Sequence, residues 1–188
     1  MKLYGSLTSP YARHCRIALI ESGLDCELIL KAPAEMRGVS PTACIPYLDV
    51  GDFQLSDSTS ILKYLREKSG AQFIPSAREL DLFCLSNTVL DSAISILMSK
   101  RLDGLEPAQS QYLTRQAARV ESCLDDMERR ELSTHLPLGD AEIRLACLLD
   151  WGLFRQLINL DERPRLQSFL ELARTWSAFS ETAPPADS

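Results

Sequence analysis

The sequence predicts an α/β domain of thioredoxin-like plan followed by an all-α helical bundle domain. Three observations carry that prediction. Strand-length and helix-length runs alternate over the first seventy or so residues, a Gly51-Asp52 turn joins two short strand runs, and after residue 79 the apolar spacing becomes helical and stays so. The domains are placed at 1–70 and 80–188, with 71–79, just past Gly70 and around Pro75, as the linker.

A strand-like run over 2–5 opens the chain. A helix over 10–21 follows, with Ser9 as N-cap, Pro10 at the first helical position and Gly23 as the stop. Residues 26–30 form a second, apolar-rich run of strand length. The stretch 32–44 is irregular, carrying Pro33, Gly38 and Pro41, with one short helix around 34–37. Runs 47–50 and 53–55 pair as a hairpin, and a helix over 58–68 places Ile61, Leu62 and Leu65 on one face. The order is β-α-β, a crossover, then β-β-α. With a right-handed crossover it gives a four-stranded sheet with helices packed on it.

In the second domain Leu113, Ala117, Val120, Leu124 and Met127 form an apolar stripe along one helix. Its opposite face, with Glu121, Asp125, Asp126, Glu128 and Arg129, reads as solvated. Phe83, Leu90, Ile94 and Leu97 mark the helix before it. Residues 143–158 are apolar nearly all round, so that helix sits at the centre of its domain. It begins at Gly139-Asp140-Ala141-Glu142, where Glu142 reaches back as half a capping box and Leu138 with Ile143 forms a hydrophobic staple. A last helix runs from Pro164 through Leu166, Phe169, Leu170, Ala173 and Trp176, and the tail over 181–188 reads as frayed.

Composition removes several function classes. Lys and Arg number 20 against 26 Asp and Glu, a net charge of −6, which argues against a nucleic-acid footprint. No apolar run approaches the roughly 18–20 residues of a membrane span, and the first residues lack a basic stretch followed by an apolar one. A cytoplasmic location with no membrane partner is the expectation. Cys15, Cys26, Cys44, Cys84, Cys123 and Cys147 are scattered singly, as expected of reduced and mostly buried thiols. With only His14 and His135 beside them, no metal site is expected.

Three motifs resemble those of one family, the serine-type glutathione S-transferases. Ser9-Pro10-Tyr11 with Arg13 resembles the family's Ser-Pro-Phe/Tyr helix start. Ser40-Pro41-Thr42-Ala43-Cys44-Ile45-Pro46 resembles its Asn-Pro-x-Gly-Lys-Val-Pro segment. Leu55-Ser56-Asp57-Ser58, with Ile61 beyond, resembles its Glu/Asp-Ser-x-x-Ile turn into the third helix. Residues 138–155 look like the family's buried sixth helix, and Arg163-Pro164-Arg165-Leu166 with Trp176 and Phe179 like its final helix. The resemblance covers nearly the whole chain and is strongest to short bacterial glutathione transferase-like proteins.

The resemblance implies glutathione as co-substrate, a small and mainly apolar electrophile as second substrate, a substrate cleft lined from the helical domain, and a homodimer. The helix starting at Ser58 offers backbone N–H groups and a hydroxyl to the γ-glutamyl carboxylate, and Asp57 a partner for its ammonium. Both residues also serve as caps. Ile45-Pro46 is implied to be cis, with Ile45 pairing strand-like with the cysteinyl unit; the alternative is a proline that simply starts a strand. Ser9 supplies the chemistry. A free thiol of pKa about 8.5 is only about 3% thiolate at pH 7. A hydroxyl hydrogen bond worth roughly 1.5–3 kcal/mol lowers that pKa by about 1–2 units. Tyr11 is a second hydroxyl at the site, or an aromatic that only packs.

The chain departs from the family pattern at Ala43 and Cys44, which stand where the family has Gly and Lys. One cation for the cofactor's glycyl carboxylate is thereby lost, with Arg37 as the candidate substitute. Cys44 reads either as a buried inert thiol or as one able to form a mixed disulfide. Two other functions are thus left open: a non-catalytic interaction protein on the same fold, and a glutathione-dependent thiol–disulfide or peroxide reductase. Arg13 and Arg16 are expected to make ion pairs with the second domain.

Overall fold

A computed structural model describes residues 1–185 of the chain. The first unit holds strands β1 (Lys2–Gly5), β2 (Glu27–Leu30), β3 (Tyr47–Asp49) and β4 (Gln54–Leu55) and helices α1 (Pro10–Ser22) and α2 (Ser58–Lys68). The strand order is β2-β1-β3-β4. β1 pairs parallel with β2, Leu3 opposite Leu28, and antiparallel with β3, Tyr4 opposite Tyr47. β3 then pairs antiparallel with β4, Leu48 opposite Leu55. This is the expected thioredoxin-like sheet.

Each local signal has a visible cause. α1 starts where the Ser9 hydroxyl accepts from the Ala12 amide and Pro10 fits the first turn, and it stops at Gly23 in left-handed conformation. The 51–52 turn holds Gly51 at φ +98°, and the Asp49 carboxylate accepts from its amide at 2.9 Å. The short helix expected near 34–37 is a 3-10 turn over Pro33–Met36. Leu3, Ile17, Met36, Leu48, Ile61, Leu62 and Leu65 are fully buried in the core of this unit. β2 is less buried than its apolar composition suggests. It is an edge strand, and its Leu28 and Leu30 are exposed.

The helical unit contains α3 (Ala77–Asp103), α4 (Gln111–Glu128), α5 (Asp140–Phe154) and nearly all of α6 (Pro164–Thr175). α5 is buried almost all round, and α3 packs against both α4 and α5. Its start corrects the capping-box expectation. The N-cap is Gly139, without a side-chain cap, and the Glu142 carboxylate instead accepts from the amide and hydroxyl of Ser133 at 2.7 and 2.8 Å. The acidic face of α4 is likewise more than solvated surface. Glu128 accepts from the amides of Arg165 and Leu166 at the start of α6, and Arg163 bridges Glu121 and Asp125. A further correction concerns apolarity: α3 is long and apolar enough, by length and composition, to cross a membrane. Its Leu82, Phe83, Val89, Leu90 and Ala93 are buried, as in the core helix of a bundle.

The last helix does not continue through Trp176. Trp176 is extended (ψ 125°) and caps a separate helix, α7 (Ser177–Ser180). Residues 174–185 cluster with the first unit rather than with the helical one. The frayed tail is also corrected in part, since Thr182 is 1% exposed. Residues 186–188 of that expectation lie outside the described residues.

Candidate functional site

Strand register brings the three motifs to one end of the sheet. β1 runs out through Gly5 toward Ser9. β3 is antiparallel to it and begins beside that end, with Tyr47 opposite Tyr4, so Pro46 lies there too. β4 is antiparallel to β3 and ends opposite its start, delivering Asp57 and Ser58 to the same end. Residues separated by almost fifty positions thus share one end of the sheet because of strand pairing and direction.

Ser9 is half-buried, with extended backbone (φ −82°, ψ 123°), and its Oγ accepts from the Ala12 amide at 3.2 Å. A hydroxyl has two lone pairs and one proton, so this cap consumes acceptor capacity and leaves the O–H to donate. α1 can approach β1 this closely because residue 5 is glycine. A Cβ there would come within 2.9 Å of the Ala12 Cβ. Tyr11 follows Pro10 in the first turn and is half-buried.

The 40–46 segment is a compact turn. The Ala43 amide donates to the Ser40 carbonyl at 3.0 Å, and the Ser40 and Thr42 hydroxyls are 2.9 Å apart. Ala43 sits at φ +51°, a left-handed conformation that favours glycine. The family's Gly at this place has its physical reason there. The Ile45–Pro46 peptide is cis, as the resemblance implies, and Leu136–Pro137 is a second one. Cys44 is exposed and free, which corrects its reading as a buried thiol. The other cysteines correct the general expectation as well: only Cys15 and Cys147 are buried, Cys84 is exposed, and Cys26 and Cys123 are half-buried.

Asp57 is the N-cap of α2, its Oδ1 accepting from the Thr59 amide at 2.7 Å, and Ser58 is buried at the first helical position. Asp57 itself is exposed, so its carboxylate is accessible while it caps. Beyond Pro46, Tyr47 packs edge-on against Tyr4, with ring centroids 5.7 Å apart. Burial pushes the Tyr47 phenol above its usual range, and the nearby Asp49 carboxylate adds to that. Among the described residues no group of three or more His, Cys, Asp or Glu side chains is arranged to hold a metal ion.

Sequence reasoning missed the residues that hold α1 from behind. The Arg13 guanidinium donates to the Phe179 carbonyl and the Thr182 hydroxyl, and Arg16 donates to the Thr182 carbonyl. Ion pairs with the second domain were expected of these arginines. Their bonds to 179 and 182 are to neutral groups, in a segment that belongs to the first unit. The available signal was a pair of arginines three apart on a helix that is otherwise largely apolar.

Comparison with known proteins agrees with this geometry. The family profile of the glutathione S-transferase N-terminal domain matches residues 3–73. A solved glutathione S-transferase of Methylobacillus flagellatus with glutathione bound is 27% identical, with a TM-score of 0.82, covering 98% of this chain and 99% of that one. A glutathione transferase family member from Pseudomonas fluorescens, also with bound glutathione, is 25% identical, with a TM-score of 0.87 and 98% of each chain covered. The uncharacterized GST-like protein YibF of Escherichia coli is 25% identical over 98% of this chain and 99% of its own length.

Proposed function

We propose that the chain is a member of the glutathione S-transferase family, whose N-terminal domain profile matches residues 3–73, and that it binds glutathione and transfers its thiolate to a small, mainly apolar electrophile. The convergence of Ser9, Ile45-Pro46 and Asp57-Ser58 on one sheet end carries this reading. The two relatives solved with glutathione support it. In this proposal Asp57 takes the γ-glutamyl ammonium, and Ser58 with the start of α2 takes the carboxylate. Ile45 pairs with the peptide backbone, Tyr11 lines the thiol end, and Cys44 stands beside the cofactor where the family's Lys would be.

Ser9 needs no general base. Its O–H donates to the sulfur while its lone pair keeps the cap, which holds the oxygen in place. The thiol releases its proton to solvent, the resulting thiolate attacks the electrophilic carbon, a C–S bond forms, and the leaving group departs with its electron pair. Calorimetry with glutathione and turnover of a chloronitrobenzene test the proposal together. Ser9→Ala should lower kcat/KM at pH 7 by about 10- to 100-fold, the worth of one hydroxyl–thiolate hydrogen bond. Unchanged turnover removes Ser9 from the mechanism. Absence of submillimolar binding favours a non-catalytic protein.

The exposed, free Cys44 favours one second reading, thiol–disulfide reduction through a mixed disulfide with glutathione. Loss of disulfide-reductase activity in Cys44→Ser, with conjugation retained, would separate the two. As in the family, the proposed assembly is a homodimer, which sedimentation tests directly.

A further inference from the structure

The chain end returns to the helix that presents Ser9. Arg13 lies one turn into α1, and its amide N–H donates to the Ser9 carbonyl at 2.9 Å, closing the helix's first backbone bond on that residue. Its side chain is 2% exposed. There Nη2 donates to the Phe179 carbonyl at 2.9 Å, Nε donates to Thr182 Oγ1 at 3.3 Å, and the guanidinium lies 3.8 Å from the centre of the Phe179 ring. Arg16 Nη1 donates to the Thr182 carbonyl at 3.2 Å. The Thr182 hydroxyl donates onward to the carbonyls of Ala178 and Phe179, each at 3.0 Å. One planar cation is thus read by a ring face, a carbonyl and a hydroxyl, a set that a lysine does not reproduce.

We infer that Arg13 is a positioning residue for Ser9, and that α7 with Thr182 is a strap that keeps the first turn of α1 in its working geometry. The inference rests on the reading of Ser9 as the thiol-activating hydroxyl. Helix ends fray when the first turn has nothing to hold it. The thiol hydrogen bond requires the Ser9 oxygen within a few tenths of an ångström of one position. Arg13 joins the two facts, since its backbone closes on Ser9 while its side chain is clamped by the strap. The strap contributes no atom to the reaction. It acts on the thiol only by holding the donor.

Three changes test this: Thr182→Val, Thr182→Ser and Arg13→Lys. The bound thiol is titrated through its ultraviolet thiolate absorbance, steady-state kinetics are measured with glutathione, and amide hydrogen exchange is followed in the ligand-free protein. Thr182→Val and Arg13→Lys should raise the apparent pKa of the bound thiol by about half a unit to one unit, so that kcat at pH 7 falls about three- to tenfold while KM for glutathione stays within about twofold. Exchange at the Ala12 and Arg13 amides should quicken by about tenfold while α2 stays protected. Thr182→Ser should restore both. An unchanged thiol pKa in Thr182→Val and Arg13→Lys overturns the positioning role, as does exchange that quickens evenly through α1 and α2. If the unaltered protein shows no bound thiolate, the transferase reading fails. The amide exchange of Thr182→Val against Thr182→Ser then still decides whether the strap holds the Ser9 turn.

Discussion

At the scale of single residues, the proposed glutathione contacts fall on groups that already cap helices. Asp57 shows this best, because its Oδ1 caps α2 while the side chain remains exposed. Asparagine caps about as well as aspartate but carries no charge. Asp57→Asn should therefore leave the urea midpoint nearly unchanged and weaken glutathione about 10- to 100-fold, by loss of a charge-assisted contact. Asp57→Ala should show the same weakening and in addition lose about 1 kcal/mol of stability. Equal glutathione affinity in Asp57→Asn would remove the carboxylate from the site. Ala43 sits where L side chains are strained, at φ +51°. Ala43→Gly relieves that strain against the greater unfolded-state freedom of glycine, and should stabilise the protein by about 0.5–1 kcal/mol in chemical denaturation.

At the scale of elements, the distance between α1 and β1 depends on what residue 5 lacks. A Cβ on Gly5 would stand 2.9 Å from the Cβ of the fully buried Ala12. Gly5→Ala should cost about 1–3 kcal/mol, measured by denaturant unfolding, because α1 must move or the strand must bend. Adding Ala12→Gly restores the space. The double variant should recover most of the loss, less the roughly 1 kcal/mol that glycine costs inside a helix. If the two losses simply add, close packing of these two elements is not the cause. Since α1 carries Ser9 at its start, Gly5→Ala should also lower turnover more than its stability loss alone explains.

At the scale of the whole molecule, titration links the two units to pH. Burial raises the Cys26 and Tyr47 groups in the first unit and the Cys123 thiol in the helical one, each above its ordinary value. In each case the folded state holds its proton more tightly than the unfolded state does. Their contribution to stability is therefore fully present below about pH 9 and is lost as pH rises through the raised values. The urea midpoint should fall from about pH 8 to about pH 10, and Cys26→Ala should flatten part of that slope. A midpoint that rises over this interval would contradict the assignment.

The sequence by itself determined the elements and their punctuation. α2 runs from Ser58 to Lys68, as its apolar face and the caps before it predict, and Ser9, Gly23 and the 51–52 turn act where local chemistry places them. Those signals are legible because caps, turns and periodicity depend on neighbours a few residues apart. The resemblance supplied the candidate site residues, and only strand pairing placed them together, since register relates residues nearly fifty positions apart. Tertiary structure also decided what local pattern cannot hold. It exposed Cys44, turned Glu142 toward Ser133 rather than its own helix start, ended α6 before Trp176, and buried Thr182 against Arg13. Each of these outcomes depends on which distant backbone group lies within hydrogen-bond reach, and that is a property of packing.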